Sequence, residues 1–531
     1  MRGESNIDHP MQLRATYRAP GAVRYRSPGG AWDVPVLDSA LRTRPKADRA
    51  LITDGSLRMS ARGFNRIVEH LAGALATRGV GRGDVVAWQL PNWWEAIALY
   101  RAAWRCGAVA APIHHQVGED EVRHMVDVLE PTVLFASEEL PLFGFDGAIA
   151  VRDRTEQFAG LWDESRPFAD DCPSRLSDLA AVIFTSGSTG RPKAVLHTQR
   201  SLTYKAQLMA QVHGLGPGDA VLMPAPLAHI SGLLNAVLVP GAAGMRVVLM
   251  ERWDPEHGLS LIEEHRVSYM IGPPSLFTGL MEQEGFERRR VRSLGVISSG
   301  MLGVSPDFIT RASKELGAIV KRSYGSTEAP TVSTCLNTDP FEQWRDTDGH
   351  AIGEAEIKVV DPASGRRRAA GRQGEVWVRG PELFAGYADP LETASSVHRG
   401  WFKTGDLGVL DPDGWLTITG RLKELIIRGG ENISPAEVER ALELHPAVVG
   451  AVAVGIPDDR LGERVGAFVV GRVPFGVEEC RRWFVELGIA RFKTPEAVVQ
   501  VDALPLLAAG KPDRAALKGR VGELAATLSA R

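Results

Sequence analysis

Apolar residues fall at helical spacing in "FNRIVEHLAGALATRGV": Phe64, Ile67, Val68, Leu71 and Leu75 share one face, and Gly79 ends the run. The pattern then switches to the strand-like "DVVAWQL" (Asp84 to Leu90), back to a helix in "WEAIALYRAAWRCGAVAAP", and to a strand again in "PTVLFAS". Helices alternating with strands predict parallel-sheet units. Further on, two strand-like runs, Ala181 to Phe184 and Ala194 to His197, bracket a polar loop. A helix over Arg200 to Gly214 and a short apolar run over Ala220 to Pro226 come after them. From about Gly353 the texture changes to short runs broken by Gly, Pro and Asp, as in "EIKVVDPASG", "GEVWVRGPEL" and "GVLDPDGWLTITGR", which is hairpin composition. Beyond Arg421 a smaller segment carries the amphipathic "SPAEVERALELH". There Ser434 is placed as N-cap, Pro435 at the first helical position and Glu437 three residues after the cap, the arrangement of a capping box. The pattern predicts a large α/β N-terminal domain with a small β-rich subdomain, residues 1–422, joined at Leu422 to Glu424 to an α+β C-terminal domain, residues 423–531.

Composition narrows the function classes. At 531 residues the chain exceeds a single hydrophobic core, and 44% hydrophobic with 24% charged residues is an ordinary globular balance. A net charge of -4 offers no electrostatic reason to expect nucleic acid. The four cysteines, Cys106, Cys172, Cys335 and Cys480, are far apart with no C-x-x-C pair, which argues against a disulfide framework or a cysteine zinc site. The polar start "MRGESNIDHPMQLRATYRAP" lacks the apolar core of a signal peptide. Ile230 to Met250 is the most apolar long stretch, but Asn235, Pro240 and Arg246 break it, so no membrane insertion is expected. These readings point to a cytoplasmic protein and leave the oligomeric state open, a homodimer included.

"FTSGSTGRPK" (Phe184 to Lys193) has the look of a phosphate loop, yet it is not a Walker loop. In that motif the lysine follows the last glycine and a helix begins at once. Here Arg191 and Pro192 separate Gly190 from Lys193, Pro192 biases Arg191 away from helical dihedrals, and the residues from Lys193 to Thr198 alternate like a strand. A Ser/Thr/Gly loop between strands still presents N–H groups and hydroxyls to phosphate oxygens. Four other polar islands are ambiguous when taken alone. "YGSTE" (Tyr324 to Glu328) fits either a surface turn or a base-stacking ring beside a Mg²⁺ carboxylate. In "WFKTGDLG", Asp406 either caps its turn or accepts from ribose hydroxyls. "GRLKELIIRGGENISPAEVE" offers the Arg421 fork and the Gly429-Gly430 pair, or simply a solvated charged turn. Lys511 in "PLLAAGKPDR" reads by itself as an exposed lysine on a small-residue loop.

In this order and separation, "TSGSTGRPK", "YGSTE", "TGD", "GRLKELI" and the late "GK" resemble the adenylate-forming superfamily of acyl-CoA synthetases, luciferases and peptide-synthetase adenylation domains, from about Leu51 to about Leu517. The resemblance implies that Thr185, Ser186, Gly187, Ser188, Thr189, Gly190 and Lys193 close over the β- and γ-phosphates of ATP. It assigns Mg²⁺ to Glu328, the α-phosphate to Thr327, adenine stacking to Tyr324 beside Gly325, the ribose hydroxyls to Asp406 and the ribose flank to Arg421. Lys511 is implied to bridge the carboxylate and α-phosphate oxygens. Lys423 matches a hinge about which the small C-terminal domain turns for a second step, bringing Gly429 and Gly430 to the site. The stretch "SSGMLG" departs from a "GGAPL"-like pattern. Its Ser299 and Gly300 are expected at adenine, and Met301 and Leu302 at the acyl pocket.

"PAPLAHISGL" places His229 where acyl-CoA synthetases carry a histidine or aromatic residue beside the acyl pocket, with a buried structural histidine as the competing reading. No acid occurs between Val221 and Met250, where a peptide-synthetase domain carries an aspartate for its amino group. Ile230, Leu233, Leu234, Met301 and Leu302 are apolar and favour a neutral tail, whether medium-chain, cyclic aliphatic or aromatic. The chain ends about twenty residues after Lys511, which leaves no room for a carrier domain and favours CoA as the thiol of a stand-alone ligase. The alternatives are a carrier-loading acyl-AMP ligase, a luciferase-like oxidase and a non-catalytic nucleotide binder.

Overall fold

A computed structural model describes residues 13–17, 22–42, 50–137, 148–151, 158, 160–161, 165–185, 191–300, 304–428, 431–458, 460–506 and 512–529. Two mainly parallel sheets dominate. One has nine strands in the order His350–Ala351, Ser333–Thr334, Ile319–Tyr324, Val296–Ser299, Tyr269–Gly272, Ala220–Met223, Arg246–Leu249, Ala50–Asp54 and Leu57–Ser60. The other has six, in the order Ala148–Val151, Val133–Ser137, Val85–Gln89, Val109–Ile113, Leu179–Thr185 and Lys193–Thr198. A single hydrophobic core runs through both, taking in Ile52, Val247 and Tyr269 from the first sheet and Val86, Trp88 and Ala181 from the second. The helix Trp94–Arg105 belongs to this core, and every one of its residues is buried. That is the environment expected for a helix apolar nearly all round. Its two arginines have tertiary partners: Arg101 Nη1 donates to Leu41 O at 2.7 Å and Arg105 pairs with Glu69 at 2.9 Å.

The short strands after Gly353 form a five-stranded antiparallel sheet from Glu356–Val360, Gly374–Arg379, Val397–His398, Trp401–Leu410 and Leu416–Arg421. The elements beyond Arg421 build another sheet, from Ile426–Arg428, Glu431–Ile433, Val448–Asp458, Gly462–Gly471 and Ala497–Gln500, with its own buried residues, Ile433, Leu442, Phe468 and Phe484 among them. The fold class is therefore α/β with a smaller α+β C-terminal part. All four cysteines are free thiols. Among the described residues no helix is long and apolar enough to cross a membrane. The stretch from Ile230 is broken into a one-turn helix, a π-helical segment Leu233–Leu238, the helix Val239–Ala243 and the strand Arg246–Leu249.

The capping box is not formed. Ser434 does precede the helix Pro435–Glu443, but its side chain makes no cap bond. Its hydroxyl instead donates to Thr419 O at 2.6 Å, on the last strand of the preceding sheet. Glu437 is likewise diverted, pairing with Lys493 at 2.5 Å. A tertiary partner has outcompeted the local one, and the contact spans the 3₁₀ turn Leu422–Glu424, where the sequence pattern places the domain junction. It is so close that a Cβ on Gly420 would stand 2.4 Å from Ser434 Oγ.

Candidate active site

Leu179–Thr185 and Lys193–Thr198 pair antiparallel with Thr185 opposite Lys193, so the loop between them starts and ends at one point beside the edge strand. Ser186, Gly187, Ser188, Thr189 and Gly190 lie outside the described residues. Lys193 is already engaged. Its Nζ pairs with Glu392 Oε1 at 2.8 Å and stands 5.4 Å from the centroid of the Tyr387 ring.

Tyr324 ends the Ile319–Tyr324 strand, where the chain turns sharply. A Cβ on Gly325 would come within 2.3 Å of Thr331 N, so only glycine fits there. The turn closes on itself through Ser326 N to Ala329 O at 3.0 Å. It is then held from outside by three elements. His197 Nε2–H donates to Thr327 O at 2.9 Å, Phe384 N donates to Glu328 O at 2.8 Å, and the buried Lys205 Nζ donates to Thr331 O at 3.0 Å. Burial pushes the His197 imidazole down to about 4, so it is neutral at physiological pH and its Nε2 carries the proton it donates. Thr331 sits at φ 35°, a left-handed conformation that strains a β-branched residue, and the Lys205 bond helps hold it there.

Asp406 and Arg421 are direct cross-strand partners. Arg421 Nε reaches Asp406 Oδ1 at 3.0 Å, and Tyr324 OH donates to Asp406 Oδ2 at 2.8 Å. The structure thus brings three predicted nucleotide residues into one hydrogen-bonded set, with the Tyr324 ring itself 9% exposed. Burial pushes the Asp406 carboxyl above the usual carboxylate range, while Arg421 and the Tyr324 hydroxyl pull it back. Only the ionised form offers acceptors at both oxygens. Arg421→Gln removes the cation and raises that carboxyl further, so the acid limb of kcat/KM for ATP is expected to move to higher pH by about one unit. A pH profile of the variant against wild type checks this; a coincident acid limb counts against Asp406 as the titrating group.

Ser299 ends its strand with its hydroxyl on Gly272 O at 3.1 Å, and a Cβ on Gly300 would approach Ser323 Oγ to 3.1 Å, leaving little room beside Tyr324. Met301 and Leu302 lie outside the described residues. His229 is half-buried at the start of the one-turn helix, after a loop pinned by Leu227 N to Asn92 Oδ1 at 2.8 Å and by Tyr100 OH to Leu227 O at 2.9 Å. Ile230 is half-buried behind it, and Leu233 and Leu234 are buried. Lys423 lies on the 3₁₀ turn Leu422–Glu424. Gly429, Gly430 and Lys511 lie outside the described residues.

Three groups escaped the sequence reading. His114 lies 4.9 Å from His229 and 4.8 Å from His115, ring centre to ring centre. Burial, with His229 and His115 alongside, pushes His114 down to about 3, so this ring is neutral. The "HH" pair was visible, but nothing local ties it to residue 229. His197 and Tyr387 were hidden for the same reason, since each acts on a residue more than fifty positions away.

Glu328 Oε1 accepts from Tyr387 OH at 2.6 Å, and no described residue bonds Oε2. One carboxylate oxygen on a rigid turn suits Mg²⁺, which takes one or two protein carboxylates and otherwise holds phosphates and water. The donor set therefore fits a magnesium nucleotide: a carboxylate for the metal, a phosphate-loop hairpin, and the Asp406 and Arg421 pair for ribose.

Comparison with known proteins bears on the family of the chain. The AMP-binding enzyme family profile matches residues 37–388, and that of the AMP-binding enzyme C-terminal domain matches residues 437–511. The chain is 31% identical to the medium-chain fatty-acid–CoA ligase of Escherichia coli, over 94% of this chain and 93% of that one. It is 30% identical to a feruloyl-CoA synthase of an Amycolatopsis species, over 93% and 99% of the two. Among solved structures, ATP-bound MatB from Rhodopseudomonas palustris superposes with a TM-score of 0.85 at 26% identity, covering 91% of this chain and 98% of the other.

Proposed function

We propose, from the premise that this chain belongs to the AMP-binding, adenylate-forming family of acid–thiol ligases, that it joins a carboxylic acid to CoA in two steps in one cleft. In the first, a carboxylate oxygen attacks the α-phosphorus of ATP, the bond to the β-phosphate breaks, and pyrophosphate leaves. In the second, the CoA thiolate attacks the acyl carbon of the mixed anhydride and AMP departs. The observation that carries the reading is the Tyr324, Asp406 and Arg421 set formed beside the turn that bears Glu328.

Both partners of the first step are anions, so preorganised positive charge has to bring them together. Glu328 would hold Mg²⁺, which when bound would supply part of that charge at the phosphate oxygens. The chain's own residues do the rest. Lys193 and the loop it closes bind the outer phosphates, Thr327 faces the α-phosphate, and Asp406 accepts from the ribose hydroxyls with Arg421 alongside. Tyr324, Gly325, Ser299 and Gly300 border the adenine. Lys511 bridges the two reacting groups while residues 423–531 are closed on residues 1–422, and rotation about Lys423 then exchanges it for Gly429 and Gly430 when CoA enters.

His229 is assigned to the mouth of the tail pocket, and the apolar Ile230, Leu233, Leu234, Met301 and Leu302 to its lining. Apolar lining selects a neutral tail. A medium-chain, cyclic aliphatic or aromatic acid fits, in keeping with relatives named for a medium-chain fatty acid and for a feruloyl group. CoA-dependent AMP release across a panel of such acids tests the reading. Acyl-CoA and AMP in equal amounts are the expected result. Acyl-adenylate that accumulates and moves only to a carrier protein would reassign the acceptor, and ADP with orthophosphate would reject the chemistry.

A further inference from the structure

Tyr387 touches both sides of the phosphate site. Its side chain is 4% exposed, and its hydroxyl donates to Glu328 Oε1 at 2.6 Å. Its ring face carries the Lys193 ammonium 5.4 Å from the centroid, and the same ammonium is drawn outward to Glu392 Oε1 at 2.8 Å. One phenol therefore separates an anion from a cation, and each of those charges has its own partner. The tyrosine is itself fixed. Its backbone bridges to Val195 on the edge strand of the six-stranded sheet, flanked by Leu196 N to Gly386 O at 3.0 Å and Ala388 N to Ala194 O at 3.0 Å. Tyr387 N donates to Thr393 Oγ1 at 2.8 Å. The segment 385–388 thus extends the sheet by a few residues, and Tyr387 cannot shift without moving the strand that begins at Lys193.

We propose that Tyr387 is a positioning residue that keeps Glu328 and Lys193 apart and correctly aimed, so that the metal-binding and phosphate-binding charges of the nucleotide site are set before ATP arrives. The inference rests on the reading of Glu328 as the carboxylate that holds the metal. A carboxylate released from the phenol is free to turn toward the Lys193 ammonium on the ring face, and a pair so formed would neutralise both groups needed for the nucleotide. Tyr387 prevents this by occupying one oxygen and interposing its ring, and Glu392 completes the separation from the other side. Glu328 is left with Oε2 for the metal, and Lys193 keeps a direction fixed by two contacts.

Tyr387→Phe keeps the ring and its cation contact and removes only the hydroxyl. The Mg²⁺ concentration for half-maximal acyl-adenylate formation at fixed ATP is expected to rise about 10- to 100-fold, the loss expected for one hydrogen bond to a charged group. Mn²⁺ binding to the protein–ATP complex, followed by electron paramagnetic resonance, is expected to weaken by the same factor without any turnover. Glu328→Gln sets the reference, and the double variant is expected to add little to it, because the hydroxyl acts through that carboxylate. A Tyr387→Phe protein that loses rate at every Mg²⁺ concentration equally, with Mn²⁺ binding unchanged, overturns the proposal and leaves Tyr387 a packing residue. If Glu328→Gln itself leaves metal dependence unmoved, the metal assignment fails instead, and the two failures are told apart.

Discussion

Lys511→Ala is expected to lower pyrophosphate release from ATP and acid by about 100- to 1,000-fold, the usual cost of removing one preorganised donor at developing charge. Thioester formation from supplied acyl-adenylate is expected to stay close to wild type. The asymmetry comes from what each step has to overcome. The first brings a carboxylate against a triphosphate, two groups that repel, and Lys511 is the cation assigned to lie between them. In the second the acyl group is already an anhydride with a good leaving group, and the proposed rotation about Lys423 would have turned that lysine away. Measuring the half-reactions separately is essential, because total turnover confounds them. Equal loss in both refutes the assignment, since it would mean that the substitution disturbs the fold of residues 423–531 or that Lys511 serves both steps.

Glu382→Ala is expected to destabilise the protein by about 3–5 kcal/mol, read as a fall in the urea midpoint, because it leaves the fully buried Lys205 ammonium without its counter-charge. The pair is 3.4 Å apart with neither side chain exposed, and burial pulls Lys205 below and pushes Glu382 above their ordinary values. Those opposite pulls are the sign of two charges that tolerate the interior only together. The double variant Lys205→Met with Glu382→Leu is therefore expected to recover most of the lost stability, since removing both charges also removes both desolvation penalties. Its cost falls elsewhere. Lys205 Nζ also donates to Thr331 O, behind the turn that carries Thr327 and Glu328, so the double variant is expected to bind ATP more weakly while unfolding at nearly the wild-type midpoint. A stable double variant with unchanged ATP affinity would show that His197 and Phe384 hold the turn without help.

The features legible in the sequence have local causes. The strands on either side of the phosphate loop announce themselves by alternation, Gly79 by ending a helical run, and the switch to hairpins by its Gly, Pro and Asp punctuation. The Asp406 and Arg421 pair can be named as two nucleotide contacts, but not as neighbours, because their adjacency depends on the register of one antiparallel ladder. The capping box expected at Ser434 fails for a related reason. A serine ahead of Pro435 has a cap to make, and only the arrival of Thr419 from the preceding sheet gives its hydroxyl a better use. The histidine trio and Tyr387 are out of reach in the same way, since "PIHHQ" and "GYADPLE" are unremarkable until the fold sets them beside residues 229 and 328.

The seam at Ser434 bears on speed as well as shape. The swing proposed for the C-terminal elements about Lys423 would part that hydroxyl from Thr419 once per catalytic cycle, and a fastening reopened so often has to be light. Each additional 1.4 kcal/mol on it would slow opening about tenfold. A neutral bond worth about 1 kcal/mol, set against a glycine that offers no side chain to grip, would bias the docked arrangement without making its release the slowest event.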